Sequence, residues 1–250
     1  QIVVGNGAAE LLYAICRLPG YTGAFVSAPG FSEYKAALEA SRIPVRDIYY
    51  RPREDEHGKP YFEVPYLALE TFAAELKGQD GRIIVFLGNP NNPDGTLLDK
   101  NHIRTIASML KDANSLLVID ESFIDFVGND TLQDNEYSMR SLVNEFDNII
   151  VVHSFTKFYA VPGLRIGAAF SNPLIIEQLN SFIPTWSVNT LAQSYTEAAL
   201  NDVEYVKRTK QVLHEEQLFM YNSLDTIDGI TVYPPSANFM LFHIEQEGIT

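Results

Sequence analysis

Runs of apolar residues of strand length alternate with amphipathic stretches of helical length along almost the whole chain, and this alternation limits the folds open to it. The segments 2–4, 24–27, 45–49, 82–87, 116–119, 149–153 and 166–170 read as strands. The stretches 8–18, 32–41, 66–77, 99–111, 173–182, 188–200 and 203–223 carry helical spacing. Strands separated by helices cannot pair as hairpins, so they predict a mostly parallel sheet covered on both faces, a three-layer α/β/α architecture. Such sheets bind ligands at the carboxyl ends of their strands. Near Gly229 the texture changes. Two strands, 229–235 and 238–243, follow with no helix between them and read as the start of an α+β unit. We therefore expect one large unit over 1–225 and the beginning of a second over 226–250. The first residues, Gln1-Ile2-Val3-Val4-Gly5, look like the middle of a strand, and the second unit stops early, so the chain reads as a large piece of a longer protein.

Bulk properties narrow the function. The chain has 250 residues, 46% of them hydrophobic, enough for a substantial core. No apolar run reaches membrane-spanning length. With 18 basic against 32 acidic residues the net charge is −14, which disfavours a nucleic-acid surface and requires any anion site to be locally positive. The single cysteine, Cys16, rules out an internal disulfide, lies in a helical apolar pattern, and fits a reducing, cytoplasmic setting. No metal site is expected. The charged stretch Arg51 to Pro60 reads as a surface loop between two α/β units.

Five constellations follow predicted strands. Ser154-Phe155-Thr156-Lys157, with Arg165 eight residues on in Val161-Pro162-Gly163-Leu164-Arg165-Ile166-Gly167, can set an ammonium, two hydroxyls and a guanidinium around one small anion. A phosphate-bearing aldehyde needs that set: donors for the phosphate and an amine to form an imine with the carbonyl. Arginine suits phosphate because its planar fork meets two oxygens. Asn6-Gly7-Ala8 opens a helix after the first strand, where free N–H groups and the helix dipole attract an anion. The Asn-Pro loop Asn89 to Gly95 fixes backbone angles and can aim Asn92 at a phenolate oxygen. Asp120, at a strand end, can pair with a protonated pyridine nitrogen. Phe31 can stack on a ring face. Each has an ordinary reading too: a solvated loop lysine, a capped glycine turn, a tight connection, a turn-capping carboxylate, a core phenylalanine. Glu121 and Asp125 read as solvated or structural carboxylates.

Taken together and in this order, these residues resemble the fold-type I pyridoxal-phosphate enzymes of the class I/II aminotransferase superfamily. The resemblance covers nearly the whole chain. It implies pyridoxal 5′-phosphate as cofactor, with Lys157 and Asp120 catalytic and Asn6, Gly7, Ala8, Phe31, Asn92, Asp120, Ser154, Thr156, Lys157 and Arg165 holding the cofactor. It also implies a small phosphorylated amino-acid substrate and a homodimer with the active site at the subunit boundary. Aminotransferases of this family usually carry a tyrosine three residues after the aspartate, and here that position is Phe123. Threonine-phosphate decarboxylases of cobalamin biosynthesis resemble the chain at Phe123, across Thr156 to Arg165, and in Pro184-Thr185-Trp186-Ser187-Val188-Asn189, where one extra residue separates Pro and Trp. The resemblance therefore implies decarboxylation of L-threonine O-3-phosphate to (R)-1-amino-2-propanol O-2-phosphate. Freed Lys157 or a bound water would reprotonate Cα. A histidinol-phosphate aminotransferase is the alternative, and an aminotransferase-like ligand-sensing domain of a transcriptional regulator a further one. The family's substrate-carboxylate arginine would lie beyond Thr250.

Overall fold

The computed structural model describes residues 1–76, 81–128 and 135–245. In chain order the elements are β1 (Ile2–Gly5), α1 (Gly7–Ile15), β2 (Tyr21–Ala28), α2 (Glu33–Ala40), β3 (Val45–Tyr49), β4 (Arg51–Glu54), β5 (Pro60–Glu63) and α3 (Tyr66–Glu75). They continue with β6 (Arg82–Gly88), α4 (Lys100–Asp112), β7 (Leu116–Asp120), β8 (Ile149–Ser154), α5 (Phe155–Phe158) and β9 (Gly167–Phe170). The last are α6 (Pro173–Phe182), α7 (Thr190–Leu200), α8 (Val203–Asp225), β10 (Ile230–Val232) and β11 (Phe242–Ile244).

All seven strands expected before α6 join one sheet, in the order β1-β9-β8-β7-β6-β2-β3. The run from β3 to β8 is parallel, while β9 pairs antiparallel with both β8 and β1. Two antiparallel steps return β1 to the direction of β8, so the carboxyl ends of β1, β2, β6, β7 and β8 share one edge. The central strands are apolar over 83–87, 116–119 and 149–152 because both faces are covered there. Ile84 and Phe86, Leu116 and Val118, and Ile150 and Val152 point into a core shared with Leu11, Leu12 and Ile15 of α1 and Leu38 of α2. Their alternates, Val85 and Leu87, Leu117 and Ile119, and Ile149 and Val151, pack on Ile103, Ile106 and Leu110 of α4 and on Leu69 of α3. The spacing 103, 106, 110 is one face of a helix. Residues at this depth contribute roughly 1.5–3 kcal/mol each by transfer from water. They lock the strand ends in position.

The strand and helix expectations hold, with three differences, one being that the strand expected over 238–243 shifts to Phe242–Ile244. Arg51 to Pro60 forms most of a hairpin rather than a loop, with Arg51 opposite Glu63 and Arg53 opposite Tyr61. Both faces of β4 are exposed, so it lacks the apolar alternation that marks a half-buried strand. Its turn is set by Asp55, whose Oδ1 accepts the N–H groups of His57 and Lys59, and by Gly58 at φ +75°. The lysine segment, read as a loop, forms the single-turn helix α5. Lys77, in the expected helix 66–77, and residues 246–250 lie outside the described residues. At the C-terminal end β10 and β11 make a separate two-stranded antiparallel sheet.

The start of α4 carries a testable cap. Asp99 accepts from the N–H groups of Asn101 and His102 through Oδ1, both at 2.9 Å. Asp99→Ala leaves these donors to water and is expected to lower stability by about 1 kcal/mol, read from the urea midpoint.

Candidate active site

Five strand ends deliver side chains to one cleft. It is lined by Ala8 and Ala9 from α1, Phe31 and Tyr34 after β2, Pro90 and Asn92 after β6, Asp120, Ser122 and Phe123 after β7, and Ser154, Thr156, Lys157 and Arg165 around α5. The cleft has about 560 Å³ of empty space, counting its open mouth.

At one end are hydroxyls and a guanidinium. Ser154 and Thr156 are buried, and their hydroxyl oxygens lie 2.8 Å apart. Ser154 occupies the N-cap position of α5 without spending its side chain on a cap. Arg165 sits at φ +58°, a left-handed geometry that non-glycine residues rarely adopt. One guanidinium nitrogen, Nη1, donates to the Pro162 carbonyl at 3.2 Å. The rest of the group crosses Gly7, where a Cβ would stand 2.4 Å from Nη2. Gly7 itself has φ +79°, a backbone angle that favours glycine. At Gly167 space is the reason. A Cβ on it would lie 2.6 Å from the Ala8 nitrogen, and its absence lets β9 press against the start of α1. The outcome is an anion cradle of two hydroxyls, one guanidinium and the N-terminus of α1.

At the other end is Asp120, only 6% exposed. Its Oδ1 accepts from the Ser122 N–H at 2.9 Å and from the Ser122 hydroxyl at 2.6 Å, and its Oδ2 accepts from the Tyr34 hydroxyl at 2.9 Å. Burial, reinforced by the charge of Asp120, pushes the Tyr34 phenol well above its ordinary range, so it remains a donor. The Tyr34 ring stacks on Phe86, with centroids 5.4 Å apart, and meets Phe31 edge-on at 5.7 Å. Lys157 Nζ stands between the two ends, 5.6 Å from the centre of the Phe123 ring. Phe123 is held edge-to-face by Phe239 at 4.9 Å.

The loop bearing Asn92 is fixed from beneath. Asn91 accepts from the Ser27 hydroxyl at 3.1 Å, donates to the Pro29 carbonyl at 2.9 Å, and donates to Asp94. Asn89 donates to Glu121 and to the Tyr137 carbonyl and accepts from the Leu98 N–H. The peptide bonds before Pro90 and Pro93 are cis, as is the one before Pro29.

Two buried carboxylates stand behind the wall. Glu121 accepts from the Met139 N–H at 2.5 Å and the Ser138 hydroxyl at 2.7 Å, and burial pushes it above the usual carboxylate range. Burial would also raise Asp125. The adjoining His153, whose Nε2 lies 2.9 Å from Asp125 Oδ2, more than offsets this through its charge and hydrogen bond, with help from Arg140 and Lys210. Asp125 is therefore held below the usual range. Both are structural, as one of the two sequence readings has it, and neither is solvated.

Of the ten cofactor-site residues expected from sequence, eight line the cleft: Ala8, Phe31, Asn92, Asp120, Ser154, Thr156, Lys157 and Arg165. Gly7 lies under the Arg165 guanidinium. Asn6 stands outside the wall, exposed, with its N–H donated to Glu10 at 2.6 Å. Trp186 is also outside, 92% exposed at φ +61°. Its loop is tied by the Ser187 hydroxyl to Glu10 and by Asn189 to the Leu164 carbonyl at 2.9 Å. Sequence reasoning gave no role to Tyr34 or Ser122. Both had a signal: Tyr34 follows Phe31 by one helical turn, and Asp-x-Ser is a spacing at which the aspartate can cap the following backbone.

The donor set fits a phosphorylated pyridine aldehyde. The cradle could take the phosphate, Asp120 could meet the ring nitrogen, Phe31 could offer an aromatic face, and Lys157 could supply the amine. Comparison with known proteins agrees. The family model for aminotransferase class I and II matches residues 1–247. A threonine-phosphate decarboxylase from Salmonella typhimurium is 32% identical over 254 residues, covering 99% of this chain and 64% of that protein. A histidinol-phosphate aminotransferase from Bdellovibrio bacteriovorus is 29% identical over 247 residues, covering 97% and 62%. The chain thus spans a little under two thirds of the length of these relatives. The structure of a histidinol-phosphate aminotransferase from Clostridium acetobutylicum superposes with a TM-score of 0.82 at 24% identity, covering 98% of this chain and 68% of that one. The chain belongs to the aminotransferase class I and II family, whose cofactor is pyridoxal 5′-phosphate.

Proposed function

We propose that the protein containing this chain decarboxylates L-threonine O-3-phosphate to (R)-1-amino-2-propanol O-2-phosphate, with residues 1–225 as the cofactor-binding unit and 226–250 beginning a second one. The observation that carries the decarboxylase reading is Phe123 on the cleft wall beside Lys157, within Asp120-Glu121-Ser122-Phe123-Ile124-Asp125-Phe126. The similarity to the Salmonella decarboxylase supports it.

When bound, the cofactor supplies an electron sink for the bond broken at the substrate's Cα. Ser154, Thr156, Arg165 and the N-terminus of α1 hold the phosphate and thereby set the ring's position. Asp120 would hold a proton on the ring nitrogen. Phe31 would pack on the ring face. Asn92 is the side-chain donor to the phenolic oxygen, a task Phe123 cannot share. Lys157 carries the cofactor and afterwards is the amine placed to return a proton to Cα. Phe123 and its partner Phe239 make that side of the cleft apolar and exclude water. The assembly is a homodimer in cytoplasm.

A histidinol-phosphate aminotransferase is the second reading, favoured by the Bdellovibrio relative at nearly the same identity. Both would use the same residues and differ in which bond of the substrate's Cα is broken. Supplying L-threonine O-3-phosphate to the full-length protein separates them. One equivalent of carbon dioxide per substrate consumed is expected. A keto acid that forms only with 2-oxoglutarate, without gas, would refute the decarboxylase.

A further inference from the structure

The two ends of the cleft are built differently. The phosphate end has donors waiting for a ligand, whereas the acceptor at the Asp120 end is already largely engaged by the protein. Oδ1 takes both the N–H and the hydroxyl of Ser122, and Oδ2 takes Tyr34. A carboxylate has about four lone-pair directions, so one remains, on Oδ2. Tyr34 is not a chance neighbour. It is 3% exposed, its ring is clamped between Phe86 and Phe31, and its hydroxyl has no freedom to turn to water.

We infer that Tyr34 is a positioning residue that makes Asp120 hold its partner's proton on the partner's side. The inference rests on the reading that Asp120 faces the cofactor's ring nitrogen. In a buried acid–base pair one proton can sit on either member, and a low-dielectric site favours the neutral arrangement, with the proton on the carboxyl. Hydrogen bonds donated to the carboxylate stabilise its charged form and reverse that preference. Three donors converge here, and Tyr34 acts on the very oxygen that meets the ring. Its hydroxyl thereby keeps the ring cationic, which is the state that accepts electrons. The edge-on contact of Phe31 with Tyr34 and the stacking of Tyr34 on Phe86 also tie Phe31 to the Asp120 contact, so both would be set together.

The test uses the full-length protein loaded with pyridoxal 5′-phosphate labelled with ¹⁵N in the ring, and reads the nitrogen resonance at neutral pH. In the parent protein the signal is expected at the protonated-pyridine position. In Tyr34→Phe it moves toward the unprotonated position, with the ratio of the two proton placements changed by about tenfold or more, the worth of one hydrogen bond to a charged group. Ser122→Ala, which removes a donor from Oδ1 and disturbs no core packing, moves it in the same direction, and the double variant moves it further. An unmoved resonance in both single variants, with Asp120→Asn shifting it strongly, overturns the role of Tyr34 and leaves the site reading intact. A parent protein that takes up no cofactor, or whose ring nitrogen ignores Asp120→Asn, overturns the site reading and this inference with it.

Discussion

Replacing Lys157 by alanine is expected to remove every borohydride-trappable cofactor adduct from the protein and to lower turnover of L-threonine O-3-phosphate by at least about 10⁴-fold. The size follows from two tasks falling on one nitrogen. On the proposed function, Lys157 Nζ both anchors the cofactor and returns the proton to Cα. The surrounding pocket survives the change, since Lys157 is exposed within its turn and the neighbouring hydroxyls pair with each other and not with it. Cofactor should therefore still bind, non-covalently, through the phosphate cradle. Lys157→Arg retains the charge and should fail equally, which separates nucleophilicity from electrostatics. Peptide mapping after reduction checks the position. An adduct on another lysine would displace the assignment.

The largest stability effect is expected at Asp125→Asn, roughly 1–3 kcal/mol, because it removes the carboxylate that bonds His153 Nε2 in a dry interior. Both partners are essentially inaccessible, with side chains 7% and 3% exposed. Chemical denaturation at pH 7 measures the loss. The pH dependence supplies an independent check. The folded carboxyl of Asp125 is held below its ordinary range, so its contribution is complete above about pH 4 and fades as pH falls through the lowered value. Asp125→Asn should be weaker at neutral pH and should lose that part of the acid limb. His153→Leu probes the pair from the other side and should also be destabilising.

Much of this architecture is legible from the order of residues. The buried strands announce themselves because a parallel sheet covered on both faces has no polar positions, as in Leu116-Leu117-Val118-Ile119. The hairpin β4–β5 escaped for the opposite reason. The exposed faces of β4 leave it no hydrophobic period, β5 is only four residues long, and the clearest signal is the Asp55–Gly58 turn. The chemistry-bearing residues were legible because each follows a strand, and strand ends of a parallel sheet converge. What could not be read was which neighbours serve them. Tyr34 reaches Asp120 across a gap in sequence that no local pattern spans, and His153 finds Asp125 in the same way. Asn6 shows the reverse case. Its place in the glycine turn suggested a ligand contact, but the nearby Glu10 carboxylate claims its N–H. Local spacing identifies the groups that act, and tertiary packing decides what each of them is bonded to.

The cradle at Gly7 and Arg165 joins the first helix to the strand that completes the sheet's other turn, and the remaining cleft residues come from three further crossovers. No contiguous stretch holds even half of the site. A partly assembled chain therefore has nothing for the coenzyme to grip, and uptake of the vitamin-derived ligand becomes a measure of global assembly. Loading to a thousand times its dissociation constant would add about 4 kcal/mol to the native state. Cellular supply of that ligand then sets how far the equilibrium favours the assembled molecule.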